Sequence, residues 1–222
     1  EHRQDIDGCN GSLRCHRHGL RLRKVLIQMD KDRRTILGAG VMTVAATLVP
    51  ATATAIAKPS SFDPVPPLPT RPTPGKPGDF AFLTGEWRIH NNSIVNGAWL
   101  EYEGEATVHA ILGGIGSVEE LRIPARNFSG MGLRLLDVEK KAWSDFWVNA
   151  KSGVLTTPGQ AGSFENGVGI FSSEYDDNGR KMISVGLWDR ITPVSCRWRQ
   201  AVSADGGRTW EHNWLMDWRR VR

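Results

Sequence analysis

One histidine near the C-terminus stands among aromatic residues at every second position. In "WEHNWLMDW", His212 alternates with Trp210 and Trp214, and Met216 and Trp218 continue the same face. Side chains two residues apart point to one face of a β-strand, so we expect His212 to point into an interior. An imidazole there could act as an acid or base, bind a haem iron, or simply hydrogen-bond to a neighbour. We favour the last of these roles.

An acidic residue shows the same arrangement in "AWSDFWVN", where Asp145 alternates with Trp143 and Trp147. We predict that this face points inward, although the opposite assignment would turn Phe146 and Val148 inward instead. A buried carboxylate needs a basic partner, because an unpaired buried charge is costly. The candidate partners are Arg190, which alternates with Trp188, and Arg197 or Arg199.

No complete catalytic motif accompanies these residues. The sequence contains no G-x-S-x-G, no H-E-x-x-H and no phosphate-binding loop. "SADGGRTW" matches the Asp-box pattern of sialidase propellers, but it occurs once, whereas a propeller repeats its box in successive blades. We therefore interpret it as a hairpin turn in which Asp205 accepts backbone hydrogen bonds. Enzymatic activity is left undecided, and the sequence leans against it.

The elements that must position these side chains are β-strands. "WLEYEGEATVHAIL" alternates apolar and polar residues from Trp99 onward, and the same period recurs in seven further segments between residues 118 and 221. Short turn signals containing Gly, Asn and Asp separate them. Eight to ten sequential strands predict an all-β, antiparallel meander that closes into an up-and-down barrel; a two-sheet sandwich is the alternative.

The N-terminal part of the chain has the composition of a targeting segment. From Met29, paired arginines at Arg33 and Arg34 precede an apolar run that ends in the small-residue motif at residues 55–57. This pattern resembles a twin-arginine export signal. We predict that residues 1–28 are a non-native or mis-started extension, 29–57 a signal peptide, 58–78 a Pro-rich spacer and 79–222 the folded domain. An uncleaved membrane anchor is the alternative reading of the apolar run.

Charge and cysteine content narrow the possible partners. Residues 1–57 hold nine Lys or Arg against five Asp or Glu, whereas residues 58–222 hold nineteen of each. A charge-balanced body lacks the basic face that nucleic-acid binding requires. No metal site is expected, because the extension that contains Cys9, Cys15, His16 and His18 supplies neither a second ligand pair at suitable spacing nor a frame that folds. Cys196, the one cysteine after residue 57, is expected to be a small buried residue.

Several motifs resemble those of a known group of barrels. Gly85-Glu86-Trp87 in "FLTGEWR" matches the G-x-W that opens the first strand of lipocalin-like and related calycin barrels. With "GMGLRLLDVEKKAWSDFWVN", "GSFENGVGIF" and the closing "SADGGRTWEHNWLMDWRR", the chain from about Asp79 onward resembles an uncharacterised bacterial family of lipocalin-like domains. The resemblance implies an up-and-down barrel with an internal cavity, whose floor is plugged by the Trp, and it implies no activity.

These observations predict a periplasmic or secreted barrel that binds a small apolar or aromatic ligand in a Trp-lined cavity. Its expected partners are this ligand and the twin-arginine export machinery, without nucleic acid and, after signal cleavage, without a membrane. The predicted ligand-binding residues are Trp143, Asp145, Trp147, Trp188, Arg190, His212 and Trp214. The alternatives are an enzyme that uses His212 and Asp145 as acid and base, a haem-binding barrel with His212 as axial ligand, and a barrel whose interior is filled. No cofactor is expected, and haem is the one alternative.

Overall fold

The structure is a computed structural model that describes residues 53–58 and 62–221. The predicted extension, the predicted signal peptide up to residue 52, and residues 59–61 of the predicted spacer lie outside the described residues. Among the residues described, no helix is long and apolar enough to cross a membrane.

Strands account for most of the described chain. They are β1 (Thr54–Ile56), β2 (Gly85–Val95), β3 (Ala98–Ile111), β4 (Gly116–Ile123), β5 (Phe128–Asp137), β6 (Ala142–Asn149), β7 (Gln160–Glu165), β8 (Val168–Asp177), β9 (Arg180–Asp189), β10 (Ser195–Ser203) and β11 (Glu211–Arg220). Three single 3₁₀ turns lie at Ala81–Leu83, Leu112–Gly114 and Pro124–Arg126.

Strands β2 to β11 form one closed antiparallel barrel. Each pairs with its neighbour in the chain, β11 pairs with β2, and β3 pairs with both β2 and β4. The predicted all-β, antiparallel, up-and-down barrel is therefore confirmed, with ten strands in its wall. Strand β4 covers β3 only from Glu105 onward, and the short strand β1 pairs with the free edge at residues 99–101.

Local turn chemistry sets the ends of several hairpins. Asn-Gly pairs at residues 96–97, 166–167 and 178–179 have positive φ at both positions, the conformation that two-residue hairpins prefer. In the β10–β11 turn, one carboxylate oxygen of Asp205 accepts hydrogen bonds from the backbone N–H groups of Arg208 and Thr209. The Asp-box sequence therefore closes a hairpin here, as predicted.

One end of the barrel is closed by the chain that precedes β2. Phe80 and Leu83 are buried against the strands, and the indole of Trp87 donates to the Leu83 carbonyl over 2.7 Å. Arg220 covers the ring of Trp87, 4.2 Å from its centroid, and donates to the carbonyl of Phe82. Trp87 thus plugs the floor, as the G-x-W resemblance implied.

The Pro-rich segment runs along the outside of the barrel. Residues 62–78 contain no helix or strand, as their proline content predicts, but they are not a detached spacer. Val65 and Leu68 pack on an apolar outer patch of β9 and β10, formed by Val185, Leu187 and Ala201. Farther along, the backbone N–H of Gly75 donates to the Lys141 carbonyl over 2.8 Å. We call residues 62–78 the strap.

Candidate functional site

The barrel interior holds a cavity that opens away from the floor. It is lined by Glu119, Leu121, Phe128, Arg134, Asp145, Trp147, Trp188, Trp198, Gln200, Trp214, Met216 and Trp218. These side chains come from six strands of the wall, and each occupies an inward position of the two-residue alternation. The lining combines aromatic walls with one charged cluster.

The charged cluster links three neighbouring strands. Arg134 on β5 donates to Glu119 on β4 over 2.6 Å, and its Nε lies 3.5 Å from a carboxylate oxygen of Asp145 on β6. Arg134 and Glu119 are only 4% and 3% exposed. We call these three residues the interior ion cluster. Asp145 therefore faces inward, as predicted, but its basic partner is Arg134.

Burial changes the acidity of the cluster. Desolvation raises the pKa of Glu119 above its usual value, and the positive charge of Arg134 opposes this rise without cancelling it. Burial by itself lowers the pKa of Arg134, but the two carboxylates outweigh that effect and hold it above its usual range. Arg134 therefore stays protonated, and the cluster contains one fixed positive charge between two carboxyl groups.

Two glycines make room for the cluster and for the aromatic wall. A Cβ atom on Gly132 would lie 3.0 Å from Nη2 of Arg134, and one on Gly130 would lie 2.3 Å from the ring of Trp147. Glu119 pairs across the sheet with Gly132. The arginine, two residues farther along β5, can therefore fold over the bare backbone to reach Glu119.

Aromatic side chains surround the open side of the cavity. Phe128 stacks on Trp147 with ring centroids 6.2 Å apart, and Trp198 meets Trp214 edge to face at 5.7 Å. Trp147 and Trp198 are only partly buried, whereas Trp214 is buried and donates its indole N–H to Asn91. We call Phe128, Trp147, Trp198 and Trp214 the mouth aromatics.

The cavity itself is narrow. Its volume is about 40 Å³. At about 10–15 Å³ for each water, this is room for roughly three molecules, and it is smaller than the ~150 Å³ cavity known to hold benzene. A ligand larger than a few atoms therefore requires movement of the mouth aromatics.

Four of the seven predicted ligand-binding residues line the cavity: Asp145, Trp147, Trp188 and Trp214. Trp143 also faces inward but lies outside the cavity, near the floor. It is fully buried, packs against Phe80 at 5.0 Å and donates its indole N–H to Asp79.

The prediction that His212 faces the interior is wrong. Gln200 pairs with Trp214 but Ala201 pairs with His212, which leaves Asn213 as an extra residue in β11. Such a β-bulge reverses the inward and outward alternation. His212 therefore lies on the outer face, where Phe62 of the strap stacks on it at 4.5 Å. It shares no site with Asp145 and cannot reach a group inside the barrel.

The arginines expected to partner Asp145 also lie on the outer face. Arg197 and Arg199 both bind Asp189, with Nε to oxygen distances of 2.7 and 2.8 Å. Arg190 is exposed just after β9 and bonds Asp63 of the strap over 3.0 Å, and Arg197 contacts the same carboxylate. Together these five residues anchor the strap.

The sequence interpretation missed several lining residues. Glu119 and Arg134 were overlooked because neither is flanked by tryptophans, although both occupy inward positions in their strands: "SVEEL" and "GMGLRLL" alternate around them. Trp198 and Gln200 follow the same alternation in β10.

Cys196 is buried, as expected, and burial raises the pKa of its thiol to about 12. Within the described residues, no three His, Cys, Asp or Glu side chains form a potential metal site.

The fold and the interior define the class of molecule: an all-β, closed, antiparallel barrel of the lipocalin-like or calycin-like kind. No protein-family model matches the chain, and no curated protein matches it. Five solved chains match it. One is an S-type phycobiliprotein lyase from Guillardia theta, with 11% identity over 64% of this chain and 90% of the lyase, at a TM-score of 0.43. A likeness at this level supports no conclusion about ligand or activity.

Removing the central charge of the interior ion cluster is expected to destabilise the barrel strongly. Arg134→Gln leaves two buried carboxyl groups without their cation, and breaking a buried pair in this way costs about 3–5 kcal/mol. Chemical denaturation measures the loss. Arg122→Gln is the control, because Arg122 bonds Glu105 and Glu120 on the outer face and should cost at most about 1 kcal/mol. Equal losses in the two variants would contradict the assignment.

His212 should make the protein less stable in mild acid. Burial, followed by the charge of Arg199, lowers the pKa of His212 from 6.5 to about 4. In the unfolded chain His212 binds a proton below about pH 6.5, whereas in the folded chain it binds one only below about pH 4. The free energy of unfolding should therefore fall between pH 6.5 and 4, and His212→Gln should flatten this fall. Substitution of the exposed His109 by Gln should leave it unchanged.

Proposed function

We propose that this barrel binds a small aromatic ligand in its interior cavity. The observation that carries the proposal is the composition of the lining, in which the mouth aromatics lead to a single buried charged cluster. Apolar and aromatic walls with few polar groups are typical of small-molecule sites. In this proposal the aromatic walls supply affinity, and Arg134 orients the ligand.

Entry of the ligand depends on the mouth aromatics. The interior volume of about 40 Å³ is too small for an aromatic ring, so Trp147 and Trp198 must turn outward when the ligand enters. Both side chains are already partly exposed, which lowers the cost of moving them. Trp214 is buried and bonded to Asn91, so we expect it to stay in place, and this favours a small ligand of one ring or two.

The competing function is that of a barrel with a filled interior, acting through its surface. The narrow cavity favours this alternative, and the buried charged cluster argues against it. A filled interior gains more from apolar side chains of the same volume than from an ion cluster that must be desolvated. Ligand binding separates the two.

Binding of single-ring aromatic compounds should change the tryptophan fluorescence of the purified protein. Trp147→Ala and Trp198→Ala widen the opening and should each raise the association rate by about tenfold or more, since binding that needs a conformational change is slow. Trp99→Phe is the control, because Trp99 packs outside the wall against Phe62. No fluorescence response to a broad ligand set, in the wild type and in both opened variants, would favour the filled interior.

We also propose that the protein is exported to the periplasm or beyond through the twin-arginine route. Support comes from Arg33-Arg34, the following apolar run and the small-residue motif at residues 55–57. This motif overlaps β1, which covers an edge of β3. Cleavage after Ala57 therefore removes β1 and frees the backbone of residues 99–101.

Processing can be read from the mature N-terminus. Mass spectrometry of the protein isolated from an exporting bacterial host should find Lys58 as the first residue. Arg33→Lys with Arg34→Lys should block export and leave the longer chain in the cytoplasm. A mature protein that retains residues 54–57 would contradict cleavage at this position, and export of the Lys-Lys variant would contradict the route.

A further inference from the structure

The cavity lining has more hydrogen-bond donors than acceptors left without a partner. Nη1 of Arg134 and the indole nitrogens of Trp188 and Trp218 are buried, and none has a hydrogen-bond partner among the described residues. The carbonyl oxygen of Gln200 is the unpaired acceptor on the same lining. Buried donors without acceptors cost free energy. A ligand that supplies an acceptor removes that cost.

The unpaired donors lie close together. The guanidinium carbon of Arg134 is 5.4 Å from the ring centroid of Trp188, and the rings of Trp188 and Trp218 are 5.5 Å apart. Arg134 therefore neighbours Trp188, and Trp188 neighbours Trp218, so that all three donors belong to one group of adjoining side chains. This arrangement suits an acceptor at the end of a ligand that enters past the mouth aromatics.

The charges in the interior determine whether an anionic, a cationic or a neutral ligand group fits beside Arg134. Arg134 already faces two carboxyl groups, so a ligand carboxylate would add a third acid to one buried cation. A ligand ammonium group would find no acceptor in the unpaired Nη1 of Arg134, and the carboxyl groups that could attract it, Glu119 and Asp145, are already paired with Arg134. Neutral oxygen acceptors meet neither penalty.

We propose that the cavity selects neutral aromatic compounds bearing a carbonyl oxygen, which accepts hydrogen bonds from Arg134 Nη1 and from the indole of Trp188 or Trp218. This assignment rests on the proposed function and specifies its ligand class. The ring of the ligand lies among the mouth aromatics, and its carbonyl points toward the interior ion cluster. Aldehydes, ketones, esters and lactones of one ring or two belong to this class.

Four single-ring probes of similar size test the head group: acetophenone, ethylbenzene, benzoate and benzylammonium. Each is titrated at pH 8 into ¹⁵N-labelled protein, and the indole N–H signals are followed by NMR. Acetophenone should bind at least about fivefold more tightly than ethylbenzene, the smallest gain expected from two buried hydrogen bonds. It should also shift the Trp188 or Trp218 indole proton downfield. Benzoate and benzylammonium should bind more weakly than acetophenone.

Substitutions that keep the aromatic ring identify the donors. Trp188→Phe and Trp218→Phe each remove one indole N–H and assign its NMR signal. At least one of them should reduce the preference for acetophenone over ethylbenzene to less than half of its wild-type value, because one of the two hydrogen bonds is lost. Trp99→Phe, on the outer face, should preserve the preference. Thermal unfolding of each variant shows that the barrel is intact.

The outcomes separate this inference from the proposed function. If all four probes bind with similar affinity, the aromatic site stands and the head-group assignment is overturned. Tighter binding of benzoate or benzylammonium overturns the assignment in favour of an anion or a cation. If no probe binds the wild type or the opened Trp147→Ala variant, the proposed function fails and the assignment fails with it.

Discussion

A buried arginine held between two acids is the interaction on which the interior of this barrel depends. Strand β5 pairs with β4 on one side and with β6 on the other, so the backbone of Arg134 is fixed in the wall and its side chain points inward. The guanidinium stays protonated and therefore remains a buried positive charge. Glu119 and Asp145 must therefore stand beside it on β4 and β6. The cluster ties three strands to one register, since a one-residue slip would turn an acid to the outside.

The cluster also shapes the space around it. Gly132 leaves space for the guanidinium of Arg134 beside Glu119, since a Cβ atom at this position would lie only 3.0 Å from Nη2. Large aromatic rings then cover the guanidinium, with Phe80 and Trp188 each 5.4 Å from its central carbon. A buried ion pair adds little net stability compared with apolar packing. The cluster therefore contributes less to the net stability of the barrel than to the choice of one strand register, and it is the charged group on which the proposed recognition of a polar ligand rests.

A second ion cluster holds the strap to the outside of the same wall. Asp189 bonds Arg197 and Arg199, and Asp63 of the strap completes the set. The sheet separates the two clusters. Arg197 and Arg199 are next to the interior Trp198 in the sequence, but they bind Asp189 on the outer face. Alternation within β10 accounts for this: Trp198 points inward, and the arginines on either side of it point outward. His212 joins the outer group only because of the bulge at Asn213.

The sequence by itself determined the strands, most of their inward faces, the Asn-Gly hairpins and the Trp87 floor, because each depends on residues close together in the chain. It also indicated that Asp145 points inward. Only the tertiary structure decided that Arg134 and Glu119 are its companions, that the strap packs on the barrel, and that His212 faces outward. These features depend on the register between strands, which no single strand encodes. One extra residue in β11 was enough to reverse the face of His212.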